Sequence, residues 1–202
     1  FLEKDDRSCL TRIRSLLDIL PDDLTRRSQP SFEVEHYPYN IYDIVSGDNS
    51  KAYNVIDLLS CIIDRGSLQE YKKDYGQTLV TAFAKINGTS VGIVANQRTN
   101  STTGRGEIEI GGVIYAESAD KGARFVMDCN QAKVPMVFLQ DVVGFMVGKE
   151  AEQSGIIRSG AKLINAISNS IVPKITVIIG NSFGAGNYAL CGKAYDPNFI
   201  FA

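Results

Sequence analysis

Hydrophobic positions follow different rhythms in different parts of this 202-residue chain. In "CLTRIRSLLDIL", Leu10, Ile13, Leu17 and Leu20 recur at helical spacing, and Pro21 ends the helix they predict. The following "PDDLTRRSQPSFEVEHYPYNIYDIV" is polar, proline-punctuated and aperiodic, the pattern of a linker. A second helix is expected in "KAYNVIDLLSCIID", then a turn at Arg65-Gly66, then a short charged helix in "LQEYKKDYG". From Thr78 onward the pattern alternates between strand and helix. "LVTAFAKI" and "TSVGIVANQ" flank Asn87-Gly88, a strong signal for a two-residue hairpin. A polar loop leads to the short strand-like "GGVIYA". "SADKGARFVMDCNQAK" predicts a helix capped by Ser118, with Ala119, Ala123, Val126 and Met127 on one apolar face. "VPMVFLQD" is a continuous apolar strand, and "GIIRSGAKLINAISNS" a helix with Ile157, Ala161, Ile164 and Ile171 at core spacing. "KITVIIG" is another buried strand, "NSFGAGNYALCG" turns into a helix, and "NFIFA" closes the series. Apolar strands with helices between them predict an α/β protein, built either as a parallel sheet covered on both faces or as a superhelical stack of β-α units.

Composition narrows the picture only slightly. Hydrophobic residues make up 44% and charged residues 22%, the balance of an ordinary globular protein. A net charge of -2 supplies no electrostatic reason to expect nucleic acid as a partner. No apolar run approaches the roughly 20 residues that span a bilayer. Cys9, Cys61, Cys129 and Cys191 are widely separated, so metal or disulfide frameworks are not expected and reduced thiols in the cytoplasm are. The chain opens on "FLEKDD" and stops at "NFIFA" on a core-like strand, and a segment of a longer polypeptide is the expectation.

The candidate chemistry lies in "DVVGFMVGKEAEQSG", Asp141 to Gly155. It resembles a phosphate loop with two defects. Gly144 and Gly148 are separated by three residues rather than four, and Glu150 stands where the magnesium-binding hydroxyl belongs. "FLQDVVGFMVG" and "VIIGNSFGAG" both place glycines just beyond the carboxyl end of a strand, where α/β architectures bind ligands. Each leads into a helix whose first N–H groups are unpaired. Such amides suit phosphate or a developing oxyanion, and the loop's defects favour the oxyanion. Side-chain catalysis has few candidates: His36 is the single histidine and lies in the linker, and nothing near Ser182 in sequence would activate it. Turn formation alone remains the alternative for both loops.

Longer matches carry the reading further. "SADKGARF", "GFMVG", "GAKL", "VPKITVIIG" and "FGAGNYAL" occur in an order that resembles the C-terminal half of biotin-dependent acyl-CoA carboxyltransferases, from about Tyr42 to Ala202. "FGAGNY" and "GFMVG" look most like the branch of methylcrotonoyl-CoA carboxylase β subunits and glutaconyl-CoA decarboxylase α subunits. The resemblance implies a ClpP/crotonase-like β-β-α superhelix over residues 42–202, with residues 1–41 as an interdomain helix and linker. It implies an acyl-CoA thioester as substrate, biotin on a separate carrier subunit or domain, and no metal. Partners implied are the biotin carrier protein and a homodimer or higher oligomer with the active site at the subunit interface. For the decarboxylase, a membrane-bound partner subunit coupled to sodium export is added. By the same resemblance the amides of Ala185 and Gly186 form an oxyanion hole for the biotin ureido oxygen. Gly144, Phe145, Gly148, Phe183 and Gly184 shape the biotin pocket, and Lys149 is solvated. The insertion "RTNSTTGRGEIEI" looks more like the glutaconyl-CoA enzyme, which makes glutaconyl-CoA the expected substrate and methylcrotonoyl-CoA the runner-up. Arg98 and Arg105 in that insertion are expected to be solvated, with contact to a substrate carboxylate as the alternative. Competing readings are a crotonase-fold hydratase using Glu150 and Glu152, and a non-catalytic assembly module.

Overall fold

The computed structural model describes residues 2–20, 33–37, 40–45, 51–104 and 106–202. The predicted linker therefore lies largely outside the described residues, as does Arg105. Helix α1 spans Asp6–Ile19, started by the Asp5 carboxylate accepting from the Ser8 amide at 2.7 Å. Among the described residues its apolar stripe has no cover. Leu10, Ile13, Leu17 and Leu20 are all exposed, and Ile19 is the residue of this helix that is buried. Arg12 tethers the helix by donating to Gln69. Short helices α2 (Ile41–Ile44) and α3 (Val55–Ser60) follow. The second of these is shorter than the predicted helix because Asn54 caps it and Cys61 closes it.

The predicted helix in "LQEYKKDYG" does not form. Gln69–Glu70 is instead strand β1, paired antiparallel with β2 (Leu79–Ile86). Five charged or amide residues, Gln69, Glu70, Lys72, Lys73 and Asp74, with no apolar stripe leave a helix nothing to pack, whereas the open edge of β2 offers main-chain partners. The hairpin of β2 with β3 (Thr89–Asn96) forms as expected, with Asn87 and Gly88 both at positive φ. The Asp64 carboxylate accepts from both turn amides, at 2.8 and 2.7 Å.

The expected polar loop contains a small hairpin, β4 (Ser101–Thr102) against β5 (Ile108–Glu109). Strand β6 (Val113–Ile114) then leads into α4 (Ala116–Gln131). Ser118 is not the cap residue but lies inside the helix, where its hydroxyl accepts from the Tyr115 amide at 2.8 Å. Met127 falls on the solvent side, 54% exposed. Next come β7 (Met136–Val142), β8 (Gly144–Phe145), α5 (Lys149–Gln153) and α6 (Ile156–Ser168). Strand β9 (Lys174–Ser182), helix α7 (Gly184–Ala189), a 3-10 turn at Lys193–Tyr195 and strand β10 (Phe199–Phe201) end the chain.

The main sheet has the order β1-β2-β3-β7-β9-β10, antiparallel through the hairpin and parallel from β3 to β10. A separate parallel pair, β6 with β8, stands beside it. One face is covered by α4 and α6, which bury Phe125, Phe138, Met136, Leu163 and Ile167. The other is covered toward β2 and β3 by α3 with Tyr53, Val55 and Leu59. The predicted phase of α6 is off by one position. Ile156, Leu163 and Ile167 are its core residues, while Ile157 and Ala161 face outward and Ile164 is half-buried. Ile171 is not in the helix at all and is 89% exposed. β9 is likewise only half-covered at Ile175, Val177 and Ile179, and Phe199 and Phe201 of β10 are exposed. Apolar content said that these residues are covered in some context, and this chain covers one face of them. Among the described residues, no helix is long and apolar enough to cross a membrane.

Candidate active site at two apposed glycine turns

The two glycine turns meet at the end of β7. Val142 is paired with Ser182 of β9, and its carbonyl accepts from the Phe183 amide at 3.3 Å. The first turn is hung from the β6 segment: the Val143 amide donates to the Gly112 carbonyl at 2.8 Å, and the Met146 amide to the Ile114 carbonyl at 2.9 Å. Gly186 closes the gap between the turns. A Cβ added there would stand 2.6 Å from a Val142 methyl and 3.4 Å from the Gly144 Cα. Only hydrogen at this position lets the backbones approach so closely.

Of the residues singled out by sequence, Gly144, Phe145, Phe183, Gly184, Ala185 and Gly186 are brought to one place. Phe183, Gly184 and Ala185 line its exposed rim, while Gly186 is buried. The Gly186 amide is engaged within the turn, donating to the Phe183 carbonyl at 3.0 Å. Ala185 stands one position earlier in α7, where a helix supplies no acceptor for the amide. Gly148 lies further along, at the start of α5, with φ 115° that a side chain would strain. The Phe145 ring packs over Gly160 of α6, where an added Cβ would lie 2.9 Å from the ring. Between them is an apolar groove of about 360 Å³ lined by Met146, Val147, Ile156, Ile157 and Ile164. Lys149, Glu150 and Glu152 are exposed, with Glu152 at the edge of this groove.

Two buried polar networks, one on each face of β7, hold the second turn. On one face Gln140, fully buried, accepts from the Ser182 hydroxyl at 2.6 Å and donates to the Leu190 carbonyl at 2.7 Å. The Asn187 side-chain amide donates to the same Ser182 oxygen at 2.7 Å. Ser182 is thus part of a structural chain with two amide side chains, and no base activates it. On the other face Asp141 accepts from the Asn181 amide at 2.8 Å, from the Asn181 side chain at 3.1 Å and from the Tyr53 hydroxyl at 3.1 Å. Burial and the neighbouring Asp141 charge push the Tyr53 phenol well above its ordinary range, which keeps it a donor.

Arg98 completes this face and corrects an expectation. It is 11% exposed rather than solvated, and its guanidinium pairs with Asp141 at 3.2 Å. A buried pair such as this is stabilising only while intact, since removing one partner costs about 3–5 kcal/mol. His36 is exposed and donates its backbone amide to the Ser60 carbonyl, away from either network.

Sequence reasoning passed over Gln140, Asp141, Asn181, Asn187 and Tyr53. A signal was present in "VFLQDVV", where two polar residues interrupt a strand that is otherwise apolar. Buried polar groups need partners, so such an interruption marks a network. Among the described residues no cluster of His, Cys, Asp and Glu could hold a metal ion. An apolar side chain at Phe145 and an exposed Ala185, whose amide has no acceptor within its helix, are compatible with a neutral bicyclic ring bearing one carbonyl.

Known proteins place this arrangement. The family model for the carboxyl transferase domain matches residues 1–202. The chain is 40% identical to the biotin-dependent 3-methylcrotonyl-coenzyme A carboxylase beta1 subunit of Mycobacterium tuberculosis, over 99% of this chain and 36% of that protein. It is 34% identical to the methylmalonyl-CoA decarboxylase subunit alpha of Propionigenium modestum, over 100% of this chain and 38% of that protein. The transcarboxylase 12S subunit, solved as a hexamer with hydrolysed methylmalonyl-coenzyme A bound, superposes with a TM-score of 0.85 at 36% identity. That match covers 99% of this chain and 38% of the other. The chain thus spans little more than a third of the length of the relatives it matches. With the ordered motifs, the crotonase-like fold and the paired turns, these matches make the chain a member of the carboxyl transferase domain family, that of the biotin-dependent acyl-CoA carboxyltransferases.

Proposed function

We propose that this chain forms the biotin side of a carboxyltransferase active site, in an enzyme that moves a carboxyl group between biotin and an acyl-CoA thioester. The observation that supports the reading is the close approach of Gly186 to Val142 and Gly144, which joins the turn carrying the exposed Ala185 to the turn carrying Phe145. Biotin supplies a transferable carboxyl group and a ureido oxygen on which negative charge develops as that group leaves. The Ala185 amide is the donor for that charge, in a helix whose first turn adds a partial positive potential. Gly186 makes the approach of the two turns sterically feasible, and its own amide shapes the turn through Phe183. Phe145, Phe183 and Gly184 form the walls, and Gly148 sets the path of the chain into α5. A preorganised amide of this kind lowers the barrier by about 3–4 kcal/mol and requires no titrating side chain. The exposed apolar residues Val147, Ile157, Phe183 and Phe199 support burial of these surfaces by other parts of the enzyme, with the site at an interface between subunits.

The substrate we propose is a methylcrotonoyl-type thioester. The insertion that favoured glutaconyl-CoA forms a hairpin, and its Arg98 is paired with Asp141, so Arg98 does not argue for a second substrate carboxylate. The names of the matched relatives favour methylcrotonoyl- or methylmalonyl-type thioesters. Biotin on a separate carrier protein belongs to the same proposal, and a membrane-bound partner belongs only to the decarboxylase version of it.

The test uses the full polypeptide with free biotin or carboxybiotin and a panel of methylcrotonoyl-, glutaconyl-, propionyl- and methylmalonyl-CoA. Transfer with methylcrotonoyl-CoA is expected to be the most efficient. Transfer only with glutaconyl-CoA would overturn the substrate, and no transfer with any thioester would overturn the function. Ala185→Pro removes the proposed donor at a helix position that tolerates proline, and kcat should fall about 100-fold or more. An unchanged kcat in folded protein refutes the assignment.

A further inference from the structure

Asp141 collects four partners from three separate segments of the chain, and they converge under the second glycine turn. Its carboxylate accepts from Asn181 on β9 and Tyr53 ahead of α3, and it pairs with Arg98 beyond β3. Its own amide donates to the Asn96 side-chain oxygen at 3.1 Å. Arg98 and Tyr53 are the charged and titratable groups facing this carboxylate, and Asn96 and Asn181 are neutral. We propose that Arg98 is a positioning residue for carboxyl transfer: by pairing with Asp141 it fixes Asn181, and through it the height of the Phe183–Gly186 turn over Gly144.

This inference rests on the turn being the carboxyl-transfer site, and three observations carry it. The carboxylate lies against the β9 backbone, since a Cβ added at Gly180 would stand 2.5 Å from the Asp141 Cγ. Asn181, the next residue, is held by both its amide and its side chain and lies two residues ahead of Phe183. The same guanidinium also reaches the support of the first turn. A Cβ added at Gly112 would strike it, and the Gly112 carbonyl is the acceptor from which Val143 hangs. One cation therefore touches the segment that supports each turn.

The insertion has a role on this reading. Ser101–Thr102 and Ile108–Glu109 pair as the β4–β5 hairpin, and the chain then reaches Gly111 and Gly112, which wall in Arg98. The Gly111 amide donates to the Asn100 side-chain oxygen at 3.1 Å, closing the loop behind the guanidinium. On this reading the insertion delivers a counter-charge, Arg98, to Asp141 at the base of the site.

The experiment compares Arg98→Met, Arg98→Lys and the double variant Arg98→Met/Asp141→Asn in the full polypeptide. Steady-state transfer and amide hydrogen exchange over residues 181–186 are the readouts. For Arg98→Met, kcat should fall about 10- to 100-fold, as for a misplaced reacting group. The KM for the CoA thioester should stay within about twofold, because on this reading the network acts on the biotin-side turn and not on thioester binding. Exchange of the Asn181 amide should speed up at least about tenfold, the sign that its hold on Asp141 has loosened. Arg98→Lys should recover part of kcat by restoring the charge without the planar fork. The double variant should also outperform Arg98→Met, since it leaves no unpaired buried charge and its introduced amide oxygen can still accept from Asn181. If Arg98→Met does not fold, the other two variants carry the comparison with the wild type. Unchanged kcat and exchange, or a double variant no better than Arg98→Met, overturns the proposal. Should the wild type transfer carboxyl to no thioester, the functional reading fails separately, and the exchange data still decide whether Arg98 holds the turn.

Discussion

Gly186→Ala is the sharpest single perturbation of this site, because its cost can be worked from contacts. The added methyl would stand 2.6 and 3.1 Å from the two Val142 methyls and 3.4 Å from the Gly144 Cα. Carbon atoms rest at about 3.5–4.0 Å, so relief requires a displacement of roughly 1 Å. Val142 is fully buried and cannot swing away, so the displacement must fall on the turns themselves. Overpacking of this size costs about 1–3 kcal/mol, which lowers the Tm of a chain this long by about 2–12 °C. A donor moved by about 1 Å no longer reaches its oxyanion, and the loss in kcat should be about 100-fold. Uniform binding of the thioester is untouched, so KM should change little. Thermal unfolding followed by circular dichroism checks the first number, and biotin-dependent transfer kinetics the second. A folded variant with native Tm and kcat within about twofold of wild type would show that the turns are not in contact, and the site as described would be wrong.

Three further outcomes are expected. Phe145→Ala removes the ring over Gly160 and should raise the KM for free biotin about tenfold, the worth of one aromatic wall, with a smaller change in kcat; an unchanged KM argues against Phe145 as a biotin wall. Burial pushes the Lys121 ammonium down to about 8 from 10.5, so between those values the unfolded chain holds more protons and this group's contribution to stability rises with pH. The stability difference between wild type and Lys121→Met, measured by urea denaturation, should therefore shift toward the wild type by about 3 kcal/mol from pH 8 to 10.5, and a flat difference refutes it. Cys61, Cys129 and Cys191 are buried, and burial pushes the Cys129 thiol up to about 12, so a thiol reagent at pH 8 should label Cys9 alone in the native chain and all four cysteines after denaturation. Rapid native labelling of a second thiol would show that the core is open.

Much of the architecture was legible from local signals. Asn87-Gly88 between alternating runs specified the hairpin, because that turn needs two residues at positive φ and few residues other than glycine and asparagine adopt it readily. The apolar strands "VPMVFLQD" and "KITVIIG" announced a parallel sheet, and the glycines after each marked its ligand-binding edge. Motif order was sufficient to name the family, and the matches to known proteins bear that out. What failed was whatever depends on the identity of a neighbour. The charged stretch at Gln69–Glu70 became a strand because the edge of β2 was available, a fact that lies outside the stretch itself. The phase of α6 was misread because Ile157 and Ile164 are as apolar as Ile156 and Leu163, and only packing against α4 distinguishes the faces.

The sequence by itself determined the element types, the two glycine turns and the family. Those features are encoded by backbone preference, by hydrophobic period and by ordered motifs that need no distant partner to be recognised. Tertiary structure alone decided that the turns touch, that the Gly186 amide is engaged, and that Arg98 is buried rather than solvated. Arg98 and Asp141 are 43 positions apart, and Tyr53 and Asp141 are 88 apart. A side chain's charge is written locally, but its desolvation and its counter-ion are set by segments that meet only when the sheet closes.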